Sequence, residues 1–174
     1  KEKNIKTAYW KNGELVKAFR ENGLAIDGTT YSELHLAADS KGKVFIPGYR
    51  ISFHHNLHAA IWKNGNFILL EDSADSEATD AVVGSETASG SNVWISGAQG
   101  GSTRGSSLAG YWRRKPNGTI SGITKVTKVR TYNSPNNWVY SSRATSIFVS
   151  GSKVYMAGTV NVINAGDVPV YWKG

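Results

Sequence analysis

Two short motifs alternate along this chain at near-constant spacing, and a repeat of that kind decides the fold before any single segment is read. The first is Tyr9-Trp10-Lys11-Asn12-Gly13, which returns as Ile61-Trp62-Lys63-Asn64-Gly65. It recurs in expanded form as Tyr111-Trp112-Arg113-Arg114-Lys115-Pro116-Asn117-Gly118, and finally as Tyr171-Trp172-Lys173-Gly174. The tryptophans lie 52, 50 and 60 residues apart. The second motif precedes each later copy, as Lys43-Val44-Phe45-Ile46-Pro47-Gly48, Asn92-Val93-Trp94-Ile95-Ser96-Gly97 and Lys153-Val154-Tyr155-Met156-Ala157-Gly158. From its glycine to the next tryptophan the counts are 14, 15 and 14. Each unit is one supersecondary element that must lean on its neighbours to bury an apolar face.

The turns repeat as well. Ser40-Lys41-Gly42, Ser89-Gly90-Ser91 and Ser150-Gly151-Ser152 each stand just before the second motif, with the residues that tight hairpins use. In the last copy, residues 144–149 form a first strand, Lys153 to Ala157 a second and Val168 to Trp172 a third. Where the chain runs on past Asn-Gly, a fourth strand folds back, as in Asn66-Phe67-Ile68-Leu69-Leu70 and Glu14-Leu15-Val16-Lys17-Ala18-Phe19. Residues 14–20 alone have helical periodicity, and the repeat overrules it. Four-stranded antiparallel units of about 50 residues resemble the blades of a β-propeller. More narrowly, the Tyr-Trp-Lys-Asn-Gly and Val-Tyr-x-Ala-Gly combination is similar to propeller-type repeats of secreted or surface proteins of bacteria, Bacteroidetes especially. The resemblance implies an extracellular or cell-surface location and carries no settled activity. WD40 dipeptides are missing, and the Asp39 to Gly42 spacing is one residue too long for an Asp box.

The expected fold is therefore all-β, with about three and a half blades in the chain. Residues 1–20 supply third and fourth strands of a first blade, 21–72 and 73–124 are full blades, and 125–174 is a blade without its fourth strand. Rings of blades normally need about four to eight units. Three arrangements stay open: a window from a larger propeller, a homo-oligomer that completes a ring, or a small closure. The absence of an initiator Met fits a processed or longer product.

Composition excludes more than it assigns. The 174 residues contain no cysteine, so disulfides, thiolate metal sites and cysteine nucleophiles drop out. No apolar stretch reaches the roughly 18 residues of a membrane-spanning helix. The net charge of +7 is lopsided: residues 1–100 carry 10 Lys/Arg against 12 Asp/Glu, whereas residues 101–174 carry 10 against Asp167 alone. Such polarity favours head-to-tail association or a polyanionic partner.

Trp10, Trp62, Trp112 and Trp172, with Gly48, Gly97 and Gly158, are read as structural residues of the repeat. Trp138 owes nothing to the repeat. It sits in the insertion that lengthens the third step, with Arg130, Tyr132 and Tyr140 nearby, and aromatics with amides on a long loop suit a glycan face. His54, His55 and His58 form a second candidate ligand-contacting group, with no metal assigned, since zinc takes four ligands or three plus water with outer-shell support that a sequence does not show. The acidic link from Glu71 to Asp80 lacks the spacing of a calcium loop and reads as a solvated turn. Arg113-Arg114-Lys115, followed by Lys125, Lys128 and Arg130, suggests a solvated basic face, an anionic glycan or a protein partner ahead of nucleic acid, for which no reading motif is present. No nucleophile elbow, zinc-protease helix or phosphate loop occurs. The expectation is a non-catalytic binding or assembly module without cofactor, its partner a glycan, a protein or further copies of itself. The alternatives are a self-assembling structural protein and a fragment of a carbohydrate-active hydrolase.

Overall fold

The computed structural model describes residues 7–19, 35–51, 56–64, 66–71, 75–100, 107–126, 139–162 and 165–174. Among them there are strands and no helix. A two-stranded sheet pairs β1 (Thr7–Lys11) with β2 (Glu14–Phe19). A four-stranded meander follows, of β3 (Ala37–Ala38), β4 (Val44–Ile51), β5 (Leu57–Lys63) and β6 (Asn66–Leu69). A second four-stranded meander holds β7 (Ser76–Thr87), β8 (Gly90–Gln99), β9 (Leu108–Arg114) and β10 (Thr124–Lys125). The last sheet is β11 (Val139–Ser150), β12 (Lys153–Val162) and β13 (Gly166–Lys173). Every pairing is antiparallel between strands that are consecutive in the chain.

The turn chemistry accounts for the hairpins. At the β1–β2 turn Asn12 and Gly13 have φ of 52° and 83°, the pair of positive values that a type I′ turn demands and that matches strand twist. The expanded copy departs from this pattern. After β9 the chain crosses Pro116-Asn117-Gly118, makes a single bridge from Ile120 to Arg114, and reaches β10 only at Thr124, so its fourth strand is two residues long. Two segments read as connections are strand. Val139 and Tyr140 open β11, and Ser76 to Asp80 opens β7.

Register explains the paired Trp and Gly. Trp62, Trp112 and Trp172 stand opposite Ile46, Ile95 and Met156, each two residues before the repeat glycine. Same-face neighbours along a strand are two residues apart, so the indole reaches diagonally over the glycine. A Cβ at Gly48 would lie 2.7 Å from Cζ3 of Trp62, and one at Gly97 would lie 2.9 Å from Cζ3 of Trp112. At Gly97 and Gly158 a second reason applies. The partner strand bulges after Ala78 and after Ala144, and a Cβ would run into the carbonyl oxygens of Glu77 and Arg143.

Sheets stack face to face. One core lies between the two four-stranded sheets and holds Phe45, Ile61, Val93, Ile95 and Trp112. The next lies between the second of them and the last sheet, with Ala109, Ile147, Met156, Val160 and Trp172. Successive residues of β7 divide between them, Ala81 and Val83 to the first core and Val82 to the second. That is the period-2 alternation of a strand covered on both faces. In the last two sheets the first strand lies across the preceding sheet, β7 against β3, β4 and β5, and β11 against β7, β8 and β9.

Candidate functional site

The described polar side chains concentrate where first strands meet. By pairing register His35, Asp80 and Ser146 occupy one place in three successive sheets, each two residues before the partner of Phe45, Trp94 or Tyr155. They also touch. Nδ1 of His35 lies 3.4 Å from Oδ1 of Asp80, while Oδ2 of Asp80 accepts hydrogen bonds from the Ser146 hydroxyl at 3.1 Å and the Ile147 N–H at 2.9 Å. Beside them the Arg143 guanidinium pairs with the Glu77 carboxylate, and the Thr79 hydroxyl donates to the Ala144 carbonyl at 2.6 Å. These contacts pair 77 with 143, 79 with 144 and 80 with 146, so β7 and β11 run in the same direction. The arrangement is a polar seam between first strands, of carboxylates, hydroxyls, an imidazole and a guanidinium.

A second set of bonds stitches first strands to third strands. Oγ of Ser76 accepts the N–H of Ala59 at 2.9 Å, and Oγ of Ser142 accepts the N–H of Ala109 at 2.8 Å. Both serines open a Ser-x-Ala-Thr segment, Ser76-Glu77-Ala78-Thr79 and Ser142-Arg143-Ala144-Thr145. That tetrad, outside the two repeat motifs, is the signal in the sequence that marks the junction.

The two ends of the stack differ. At one end the β3–β4 turn meets the β7–β8 turn, where Ser40 donates to the Glu86 carboxylate from both its hydroxyl and its N–H. Asp39 is buried there and accepts the N–H groups of Lys41 and Lys43 and the hydroxyl of Ser91. Burial pushes its carboxyl upward, but these three donors outweigh burial and hold it below the usual 3.8. Alternating strand direction places the β4–β5, β6–β7, β8–β9, β10–β11 and β12–β13 connections at the opposite end.

Two sequence-derived candidates flank that opposite end. His58, half-buried, is the second residue of β5, and Tyr140 the second of β11. Trp138, Tyr132, Arg130, His54 and His55 lie outside the described residues. The structural set separates. Trp62, Trp112 and Trp172 are buried, whereas Trp10 is 64% exposed. The basic run divides: the Arg113 guanidinium lies 4.9 Å from the centre of the Trp94 ring and donates to Oδ1 of Asn92 from Nε and from the terminal nitrogen, Lys115 and Lys125 are exposed, and Arg114 is buried. Its burial lowers the Arg114 pKa. Of the acidic link, Asp80 belongs to the seam. No group of three or more metal-ligating side chains converges among the described residues. No helix among them is long and apolar enough to cross a membrane. No protein-family model matches the chain, and no curated protein matches it significantly.

Proposed function

We propose that the chain is a non-catalytic binding module built from propeller-type blades, secreted or carried on a bacterial cell surface, with a glycan as the ligand class. The observation that carries the reading is the stacking itself. Consecutive antiparallel meanders pack face to face with polar first strands in contact, and the connections that lead from one sheet to the next, β6–β7 and β10–β11, leave from the same end, as on a scaffold that presents loops. Both carboxylates of the seam are committed to bonds across the junction, Glu77 to Arg143 and Asp80 to His35, Ser146 and the Ile147 N–H. That supports a structural role for them over acid–base chemistry, which needs a carboxyl aimed at a substrate.

The ligand surface in this proposal is the loop end, with Trp138, Tyr132, Tyr140 and Arg130 stacking on and hydrogen-bonding to sugar rings and His54, His55 and His58 beside them. Retention of the wild-type chain and of Trp138→Ala on a glycan array tests it, with circular dichroism to show that both are folded. The expected outcome is retention on a defined glycan class that falls at least tenfold in the variant. Equal retention, or none by the wild type, ends the glycan reading.

A further inference from the structure

The repeat fixes which face of each sheet meets which. In the first core Ile61 of β5 shares its cluster with Trp112 of β9, and in the second Tyr111 of β9 packs against the cluster of Trp172 of β13. At each junction the residue before one motif tryptophan joins the same core as the tryptophan of the following sheet. Ile61 is fully buried and Tyr111 half-buried, but Tyr171, the same position in the last sheet, is 80% exposed. Phe148 stands in register with Ala37 and Val82, opposite Tyr155, and is 62% exposed. In the β1–β2 sheet Trp10 is 64% exposed and its cross-strand partner Leu15 58%, whereas Trp62, opposite Phe67, is buried. The last sheet thus shows the tyrosine face of a junction and the β1–β2 sheet shows the tryptophan face, each uncovered.

We infer that the two faces belong together in different copies: the Trp10–Leu15 face of one chain seats on the Tyr171–Phe148 face of a second chain, head to tail. Position 169 selects this occupant. The stitch that closes each internal junction takes the N–H of Ala59 or Ala109, two residues before Ile61 or Tyr111, into a first-strand serine. The equivalent residue of β13 is Pro169, which has no N–H to give. A full four-stranded blade would bring a first-strand serine there and leave its hydroxyl unanswered. The β1–β2 sheet consists of third and fourth strands, so it asks for no such bond.

Charge opposes the contact. Residues 1–20 hold six Lys/Arg against two Asp/Glu, and residues 139–174 hold Arg143, Lys153 and Lys173 against Asp167. The −2/+9 division between residues 1–100 and 101–174 therefore does not drive this association, because the abutting sheets are both net positive. Apolar burial drives it and salt, by screening, strengthens it. Three aromatics and a leucine cover on the order of 700 Å² in all, below a standard interface, so the contact is a weak, transient one.

Sedimentation velocity on the 174-residue chain from 5 to 500 μM, at 50 mM and 500 mM NaCl, tests the inference. The wild type should sediment as higher species that grow with concentration and with salt. Trp10→Glu and Tyr171→Glu, both at exposed positions and checked by circular dichroism, should each be monomeric alone, and their mixture should form a 1:1 heterodimer because each variant keeps the face the other has lost. A monomeric wild type at 500 μM, association that weakens with salt, or a mixture that stays monomeric would overturn the head-to-tail contact. The glycan array reads retention by the loop end, a different surface, so its result stands apart from this one.

Discussion

An alanine at position 97 has nowhere to put its methyl group. The Glu77 carbonyl oxygen, brought in by the β7 bulge, and the Trp112 indole close the space from two sides. Backbone cannot yield as a side-chain tip can, so Gly97→Ala should cost about 3 kcal/mol or more, measured by urea denaturation. Gly122→Ala, with nothing within 4 Å of the added carbon, should stay within about 0.5 kcal/mol and serve as the control. Both Gly and Trp were legible because they recur in register. The reason for Gly97 was only half legible, since a bulge in the partner strand leaves no mark on the glycine's own segment. Asp39 makes a pH-dependent contribution. Its folded pKa lies below the ordinary 3.8, so its stabilisation is present above that value and disappears as pH falls through the lower folded value. Asp39→Ala should therefore reduce stability at pH 7, and the gap between variant and wild type should narrow in denaturation series taken below pH 4.

Between elements, the junctions are held by a few polar atoms set into apolar faces. Ser142→Ala removes the acceptor of the buried Ala109 N–H and should cost about 1–3 kcal/mol, as should Ser76→Ala at the Ala59 N–H. The two stitches lie in different junctions, so the double variant should lose the sum within about 0.5 kcal/mol, and a clear excess in chemical denaturation would show that the junctions are coupled. Strand pairing was open to sequence reasoning because Asn-Gly and Ser-Gly turns and alternating apolar residues specify it locally. The junction was less so. Asp80 and Glu77 read as a solvated acidic link, yet they open β7, because acceptance of the Ile147 and Ser146 donors and pairing with Arg143 depend on a strand 66 residues away. Arg113 likewise leaves the basic run for the Trp94 face, drawn by the aromatic ring directly opposite it on the neighbouring strand.

At the scale of the whole molecule, a stack in which each sheet touches only its neighbours has stability that grows from the middle outward as a sum of sheet and junction terms. The β7–β10 sheet is covered on both faces, by Phe45, Ile61 and Leu70 on one side and by Ile147, Met156 and Trp172 on the other. The β1–β2 sheet leaves Trp10 and Leu15 in water, and the last sheet leaves Phe148 and Tyr171. Opening an outer sheet breaks one junction at most, whereas opening the middle one breaks two. Amide hydrogen exchange at 5 μM, where a weak contact between copies is empty, should therefore rank protection as β8 first, β12 and β4 next and β1–β2 last, with β8 opening at the global free energy. At 500 μM and high salt, seating of one copy on another should slow exchange in β1, β2 and β13 while β8 stays unchanged, since global unfolding is already its only route to solvent. Uniform protection across all sheets at 5 μM would mean that the chain unfolds as one unit and that its faces do not act as separable junctions.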